Sequence, residues 1–327
     1  MNTLPSRRAV LATLACSSLA GLGSTSTLAG ERVGRVLRMI VPQAPGGAAD
    51  FMARMLVDNL ARSLGRPVMV DNRPGGGTVV GTQAVAMAAP DGNTFGMVLS
   101  PHAINQAMRQ HMPYDVLTDF EPLCLGGHSI VALVAHPGFA VDSVAQLIGL
   151  ARRTELPLQY ASLGVGSVSH LAGELFSVEA DVEFSHVPYN GSVQVYRALV
   201  GGDVPLAFVT LESALPHIRA RRLKVLGITN AKRAECYPRI PAIAESLPGF
   251  ELVGFFGFVA PANTPPKVVG TLSAEIARTL QASTIRTRLA DDGVVISVAS
   301  PAAFAAFLRQ QVDKYIALAK RTGIKLD

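Results

Sequence analysis

Val41-Pro42-Gln43-Ala44-Pro45-Gly46-Gly47-Ala48-Ala49-Asp50 is the stretch that decides the fold. An apolar run, Val36-Leu37-Arg38-Met39-Ile40-Val41, leads into it and reads as a strand, and a strongly periodic helix follows. A strand, a Pro-Gly-Gly turn and a helix start bring several backbone N–H groups to one point. The first turn of a helix has unpaired donors and a partial positive charge, so this construction reads as an anion site. Glycines at Gly46 and Gly47 let the main chain approach a ligand with no Cβ in the way. Asp50 belongs to a preferred cap type, and a helix cap is the expected role rather than chemistry.

The construction recurs at Ser162-Leu163-Gly164-Val165-Gly166-Ser167, between a strand at Leu158–Ala161 and a helix from Ser167 to Val178. Ser162 and Ser167 are expected to add hydroxyl donors; a plain tight turn with a serine cap is the alternative. Two such sites facing each other suit a ligand with negative groups at its ends. A valine at Gly46 or Gly166 would then stand where the anion goes. Tyr189-Asn190-Gly191-Ser192, ahead of another helix, is a third loop able to line a cleft, although Tyr189 could equally pack as part of a lid.

Outward from these loops, helix and strand signals alternate. Phe51, Met55, Leu56, Leu60 and Leu64 recur at helical spacing, Arg54, Asp58 and Arg62 face away, and Gly65 ends the helix. Val68-Met69-Val70 reads as a short buried strand, Val79 to Ala88 as a small-residue helix and Phe95 to Leu99 as a strand. Short loops between these elements predict a parallel sheet covered on both faces. The order repeats with strands at Phe184–Val187, Val204–Val209 and Leu223–Ile228, before a proline-punctuated passage and the apolar segment Leu252 to Ala260. Two three-layer α/β lobes with a C-terminal return fit this order, and ligands in open parallel sheets bind beyond the carboxyl ends of the strands.

Composition narrows the function. At 327 residues and 49% hydrophobic, the chain can fill two cores. Ser6-Arg7-Arg8, the apolar run Ala9–Ala15 and the small-residue end Thr27-Leu28-Ala29 read as an export signal cut near Ala29, the paired arginines permitting a twin-arginine route. A lipoprotein acceptor at Cys16 and an uncleaved anchor are weaker alternatives, since spanning a bilayer takes about 20 apolar residues. Loss of Arg7 and Arg8 takes the formal charge from +5 to +3 without leaving a basic block, which argues against nucleic acid. Cys124 and Cys236 could pair in an oxidising compartment or remain two inert core thiols.

Chemistry finds little support. The second loop resembles part of a dinucleotide fingerprint, but Ser169 stands at its third glycine position and His186-Val187 where a ribose-binding acid belongs. No Walker lysine follows a glycine-rich loop, no G-x-S-x-G elbow occurs, and Ser162 has no base nearby in sequence. None of the seven histidines lies at metal spacing, so no metal, cofactor or catalytic residue is expected. His170, four positions past Gly166, is expected to pack or brace the loop. A secreted α/β enzyme remains a rival reading, and turnover would expose it.

The whole mature chain resembles the extracytoplasmic solute receptors of the tripartite tricarboxylate transporter system, the Bug receptors abundant in Bordetella and its relatives. The resemblance rests on Val41-Pro42…Ala44-Pro45-Gly46-Gly47…Asp50, Asn72-Arg73-Pro74-Gly75, Ala89-Pro90-Asp91-Gly92 and Pro113-Tyr114-Asp115…Asp119-Phe120. It continues through Tyr160-Ala161-Ser162…Gly164…Gly166…His170-Leu171, His186-Val187-Pro188-Tyr189, Ala231-Lys232-Arg233 and Pro261-Ala262…Thr264-Pro265. It implies an α/β two-lobe periplasmic binding protein of the Venus-flytrap kind, each lobe a mainly parallel sheet covered by helices. Residues 1–29 are then the export signal, 30–130 with 250–327 the first lobe and 131–249 the second. The implied function is to bind a small organic carboxylate in the periplasm, as a monomer, for membrane permease subunits; a sensor with the same fold is the alternative. The implied ligand-binding residues are Gln43, Gly46, Gly47, Ala48, Ala49 and Asp50 in the first loop, and Ser162, Gly164, Gly166, Ser167 and His170 in the second. Gly77, Thr78, Ser100, His102, Tyr189 and Asn190 are counted with them. Three departures matter: Ala49 stands where the family usually carries a Ser or Thr before the aspartate, Gln43 replaces an aromatic or apolar residue, and Pro205 and Val209 replace frequent aspartates. The last pair hints at a plain carboxylate rather than an amino acid.

Overall fold

The computed structural model describes residues 35–291 and 293–326, so the export-signal reading of residues 1–29 lies outside the described residues. In chain order the elements are β1 (Leu37–Val41), α1 (Ala48–Leu64), β2 (Val68–Asn72), α2 (Val79–Ala86), β3 (Thr94–Leu99), α3 (Pro101–Met108) and β4 (Phe120–Ser129). Next come β5 (Val131–Ala135), α4 (Val144–Ala151), β6 (Leu158–Ser162), α5 (Val168–Ala180), β7 (Phe184–Pro188), α6 (Ser192–Gly201), β8 (Leu206–Thr210), α7 (Leu211–Arg219) and β9 (Lys224–Ile228). The chain finishes with β10 (Gly254–Pro261), α8 (Pro266–Gln281), α9 (Ser283–Asp291), β11 (Val294–Ala299) and α10 (Pro301–Thr322). No helix among the described residues is long and apolar enough to cross a membrane.

The strands form two sheets, in the orders β11-β4-β10-β3-β1-β2 and β7-β6-β8-β5-β9. The two-sheet α/β architecture agrees with the sequence, and antiparallel strands interrupt the parallel runs in both sheets. β1 runs parallel to β2 and β3, but β10 is antiparallel to β3 and β4, and β11 to β4. In the second sheet β6 is parallel to β7 and β8, while β5 is antiparallel to β8 and β9. Both sheets are therefore mixed, and β5 and β10 run against their neighbours for one reason. The chain leaves the first sheet at Ile130 and returns through β10, and each arriving strand inserts inside its new sheet against the local direction. The two passages are stitched at buried Thr229, whose amide donates to Val131 O (2.9 Å) and whose hydroxyl donates to Leu252 O (2.5 Å).

Side-chain alternation along the strands sorts the core. In β1, Leu37, Met39 and Val41 enter one apolar cluster and Ile40 another. In β5, Ala132 and Val134 face a cluster private to the second sheet, whereas Val131, Leu133 and Ala135 join the cluster containing Ile40. That shared cluster draws on both sheets and on Phe304, Leu308, Val312, Tyr315 and Leu318 of α10, and α10 packs on α3, β4 and α5.

Two local expectations change. The buried stripe of α1 is Ala49, Met52, Ala53, Leu56 and Leu60; Phe51 is 43% exposed, with the Arg288 guanidinium 5.7 Å from its ring centre. β2 lies at a sheet edge with Met69 48% exposed, so it is not a buried strand. Both cysteines are free: Cys124 is buried, its thiol pushed up to about 12 by burial, and Cys236 is exposed rather than in a core.

Gly173 of α5 lies against the Tyr160 ring so closely that a Cβ there would stand 2.2 Å from two ring atoms. Gly173→Ala should therefore cost about 1–3 kcal/mol through overpacking, read as a lower Tm in thermal unfolding. A Gly173→Ala/Tyr160→Leu double variant should regain part of that loss.

Candidate functional site

The first loop leaves β1 at Val41 and closes with Gly47 N donating to Ala44 O at 3.3 Å, Gly46 holding φ +80°. Gly47, not Asp50, is the N-cap of α1. Asp50 sits three residues further, and its buried carboxylate reaches back to accept from Gly46 N (2.9 Å) while accepting from Arg54 Nε (3.0 and 2.9 Å). From that position a carboxylate can fold back on the preceding turn, as the acidic member of a capping box does. The Arg54 guanidinium holds Asp50 below the usual carboxylate range, against the opposing effect of burial. Arg54 Nη2 also donates to Asn72 Oδ1 (3.3 Å), and Asn72 Nδ2 donates to Gln43 O (3.1 Å). The sequence reading set Arg54 aside as solvent-facing; its i,i+4 spacing from Asp50 was the available signal.

Phe51 N→Gly47 O is the first intrahelical bond of α1, so the amides of Ala48, Ala49 and Asp50 precede it. Gly46 N, by contrast, is spent on Asp50. Main-chain donors therefore remain the resource of this loop, one fewer than expected.

The second loop is tied by its own side chains. Ser162 Oγ accepts from Gly164 N (3.1 Å) and lies 2.6 Å from His186 Nε2. Ser167 Oγ caps α5 by accepting from His170 N (3.2 Å) and donates to Gly164 O (2.6 Å). Ser169 Oγ accepts from Leu163 N (3.1 Å), and Gly166 N donates to His170 Nδ1 (3.3 Å). Thus the hydroxyls fasten the loop rather than point outward, and the serine-cap alternative describes Ser167. Leu171 N→Ser167 O opens the helix ladder, leaving the Val168 and Ser169 amides ahead of it.

Beneath this loop the His170 and His186 rings stack with centroids 4.1 Å apart. Burial pushes each down to about 4, the neighbouring imidazole adding to the effect on His186. Glu174 Oε1 lies 3.8 Å from His170 Nε2 and accepts from Tyr160 OH (2.7 Å). His186 is a residue to which sequence reasoning gave no role, noting it only within a family motif and where an acid was missing. Its pairing with Tyr160 across β6 and β7 brings it under Ser162.

The remaining expected residues divide. Tyr189 N donates to Ser162 O (3.2 Å), placing Tyr189 and exposed Asn190 beside the second loop. Gly77 and Thr78 lie where α2 begins, and Asn105 Nδ2 of α3 donates to Gly77 O (2.9 Å). Ser100 and His102 lie in the interior. Ser100 Oγ accepts from Phe255 N (2.8 Å), tying α3 to β10. His102 is wholly buried, 5.1 Å from the Phe120 ring and stacked on Tyr114, and burial lowers it to about 3. Gly166 also needs a different account, since a Cβ there would meet Leu326 Cδ1 at 3.0 Å, not an open space. Leu326 N donates to Met108 O (3.4 Å), so the C-terminal tail joins α3 to the second loop. Val209 is fully buried in the second-sheet core. Among the described residues no group of three His, Cys, Asp or Glu side chains could hold a metal.

Two α/β units whose paired strand–loop–helix starts offer main-chain donors define a solute-binding receptor of the periplasmic-binding-protein class. The chain belongs to the tripartite tricarboxylate transporter receptor family, whose model matches residues 52–324. Protein BugT of Bordetella pertussis is 34% identical over 295 residues, covering 89% of this chain and 90% of that one. The structure of R. palustris Rpa4515 with adipate is 31% identical with TM-score 0.84, covering 89% of this chain and 98% of that one. MatC from Rhodopseudomonas palustris, with bound malate, is 29% identical with TM-score 0.79, covering 87% and 98%.

The stacked imidazoles generate a pH dependence. Their folded pKa values of about 4 lie below the ordinary 6.5, so between those limits the unfolded chain takes up protons that the folded chain refuses. Stability is unaffected by the pair above that range and declines as pH falls through it. His186→Gln should flatten part of this acid slope in Tm measured from pH 7 down to about 4; an unchanged slope would show that the pair does not carry it.

Proposed function

We propose that the chain is an extracytoplasmic receptor that clamps a small organic carboxylate between the β1–α1 and β6–α5 loops and presents it to a tripartite tricarboxylate transporter permease. The observation that carries this reading is the disposition of polar groups. In both loops the side chains are spent inside the loop, on Asp50–Arg54–Gly46 and on Ser162, Ser167 and Ser169, while helix-opening amides stand ahead of the first intrahelical bonds. Such amides stabilise an anion by charge-assisted hydrogen bonds and by the helix dipole, with no counter-charge required. Adipate and malate on the two R. palustris relatives support a carboxylate ligand.

The proposed contacts are Gln43, Gly46, Gly47, Ala48 and Ala49 from the first loop, and Ser162, Gly164, Gly166, Ser167, Tyr189 and Asn190 from the second. Asp50 and His170 act behind them by holding the loops. Residues 30–130 with 250–327 form one lobe and residues 131–249 the other, and they close on the ligand about the passages stitched at Thr229. The protein works as a monomer in the periplasm after removal of residues 1–29, exported through the twin-arginine or general route. No chemical turnover belongs to this scheme.

A thermal-shift screen of the mature protein against mono-, di- and tricarboxylates, amino acids and aromatic acids tests it. A ligand at about a hundred times its Kd should add about 2.7 kcal/mol, a clear rise in Tm. Gly46→Val should abolish the response, because φ +80° strains a β-branched residue and the side chain would fill the open space proposed for the anion, whereas full retention in that variant would sink the two-loop clamp.

A further inference from the structure

α10 is closed by its own bonds. The Gly323 amide, at φ +73°, donates to Ala319 O (2.8 Å), and the Thr322 hydroxyl donates to Leu318 O (2.9 Å). A glycine in this conformation is a common helix stop, so nothing beyond it is needed to finish the helix. The next residues nevertheless hold to the protein. Leu326 is buried at 8% exposure and Ile324 packs on the shared apolar cluster, whereas Lys325 between them is exposed. Alternate burial of this kind belongs to an extended segment laid on a surface. Ordering such a segment costs chain entropy, which the burial of Leu326 and Ile324 offsets.

Leu326 bridges the halves built on the two sheets. Its amide donates to Met108 O at the end of α3 (3.4 Å), and its side chain lies against the second loop, where a Cβ on Gly166 would fall 3.0 Å from Leu326 Cδ1. Gly166 is thereby held from two sides, since its own amide donates to His170 Nδ1 (3.3 Å). In the last turn of α10, Arg321 Nη2 donates to Glu179 Oε1 (2.6 Å) near the end of α5. α5 is the helix that the second loop opens, so the end of the chain grips that helix near both of its ends. The ion pair is exposed, and pairs of that kind contribute little alone; the packing of Leu326 is the stronger hold.

We propose that Ile324–Leu326 is a strap that positions the second loop for binding and couples it to α3 of the other lobe. This rests on the carboxylate-receptor reading above and on its division into lobes. Met108 and Gly166 then fall in different lobes, so drawing them apart has to break the Leu326 amide bond or pull its side chain off Gly166. The strap therefore resists opening and slows the release of a bound acid. Leu326 is a positioning residue: it acts on the loop and makes no contact with the ligand.

Hydrogen exchange on the ligand-free protein tests the strap directly. Deleting residues 324–327 leaves α10 and its glycine cap whole, and Leu326→Ala removes the contact with Gly166 alone. In both variants the amides of residues 163–167 should exchange about tenfold faster, with those of residues 46–50 in the first loop unchanged. Leu326→Met, close in volume, should keep wild-type protection. Unchanged exchange in both variants overturns the strap, as does equal acceleration in the two loops, which marks a general loss of stability. With adipate and malate as probes, the deletion should weaken binding about tenfold, mainly through faster dissociation in stopped flow. Faster loop exchange with unchanged dissociation of both acids overturns the role in retaining ligand. A wild-type protein that answers to no acid of the wider panel overturns the receptor reading, while the exchange result still decides whether the strap holds the loop.

Discussion

β1 in one sheet and β5 in the other each bury side chains on both faces, and the middle layer has to be common to the two sheets. Ile40 and Val98 from the first sheet and Leu133 and Phe208 from the second meet in that layer, which α10 completes. With the layer shared, the carboxyl ends of β1 and β6 are not free to choose their setting. Thr229 welds the crossing passages at a buried point. A polar residue so placed is tolerated because its hydroxyl and amide both find carbonyl partners.

The loops themselves solve a different problem. Main-chain recognition works only if the chain is already in position, since ordering a glycine-rich loop on binding would consume much of the interaction. Side chains supply that order from within: Asp50 grips Gly46 and Arg54, and Ser162, Ser167 and Ser169 grip Gly164, Leu163 and each other. The stacked neutral imidazoles of His170 and His186 lie under the second loop, one accepting from Gly166 and the other facing Ser162. Such a network stiffens the loop amides while contributing few outward groups of its own. The glycine loop ahead of α2 is built otherwise, with strain and an unpaired hydroxyl where its neighbours have satisfied bonds.

Much of the architecture was legible in the chain. Hydrophobic alternation located the strands at β1, β3, β6 and β7, and Gly46-Gly47 and Gly164–Ser167 marked the helix starts, because turn chemistry and periodicity are local properties. What was not legible shares one cause. In α1 two stripes compete, and only the packing of α1 against β2 and α8 selects Met52 and Ala53 over Phe51. Strand direction in the sheets, the edge position of β2 and the interior placement of Ser100 and His102 likewise depend on neighbours distant in sequence.

The sequence by itself determined which segments become strands and helices, where backbone amides are left unpaired, and that the chain falls within a receptor family. Tertiary structure alone decided how those amides are held. Asp50 turns back to Gly46 instead of capping α1, His186 comes under Ser162 from a separate strand, and Leu326 closes over Gly166 from the chain's far end. The physical reason is range: propensity and capping act within a turn or two, whereas a hydrogen bond or packed side chain between residues far apart exists only once the shared core has brought them together.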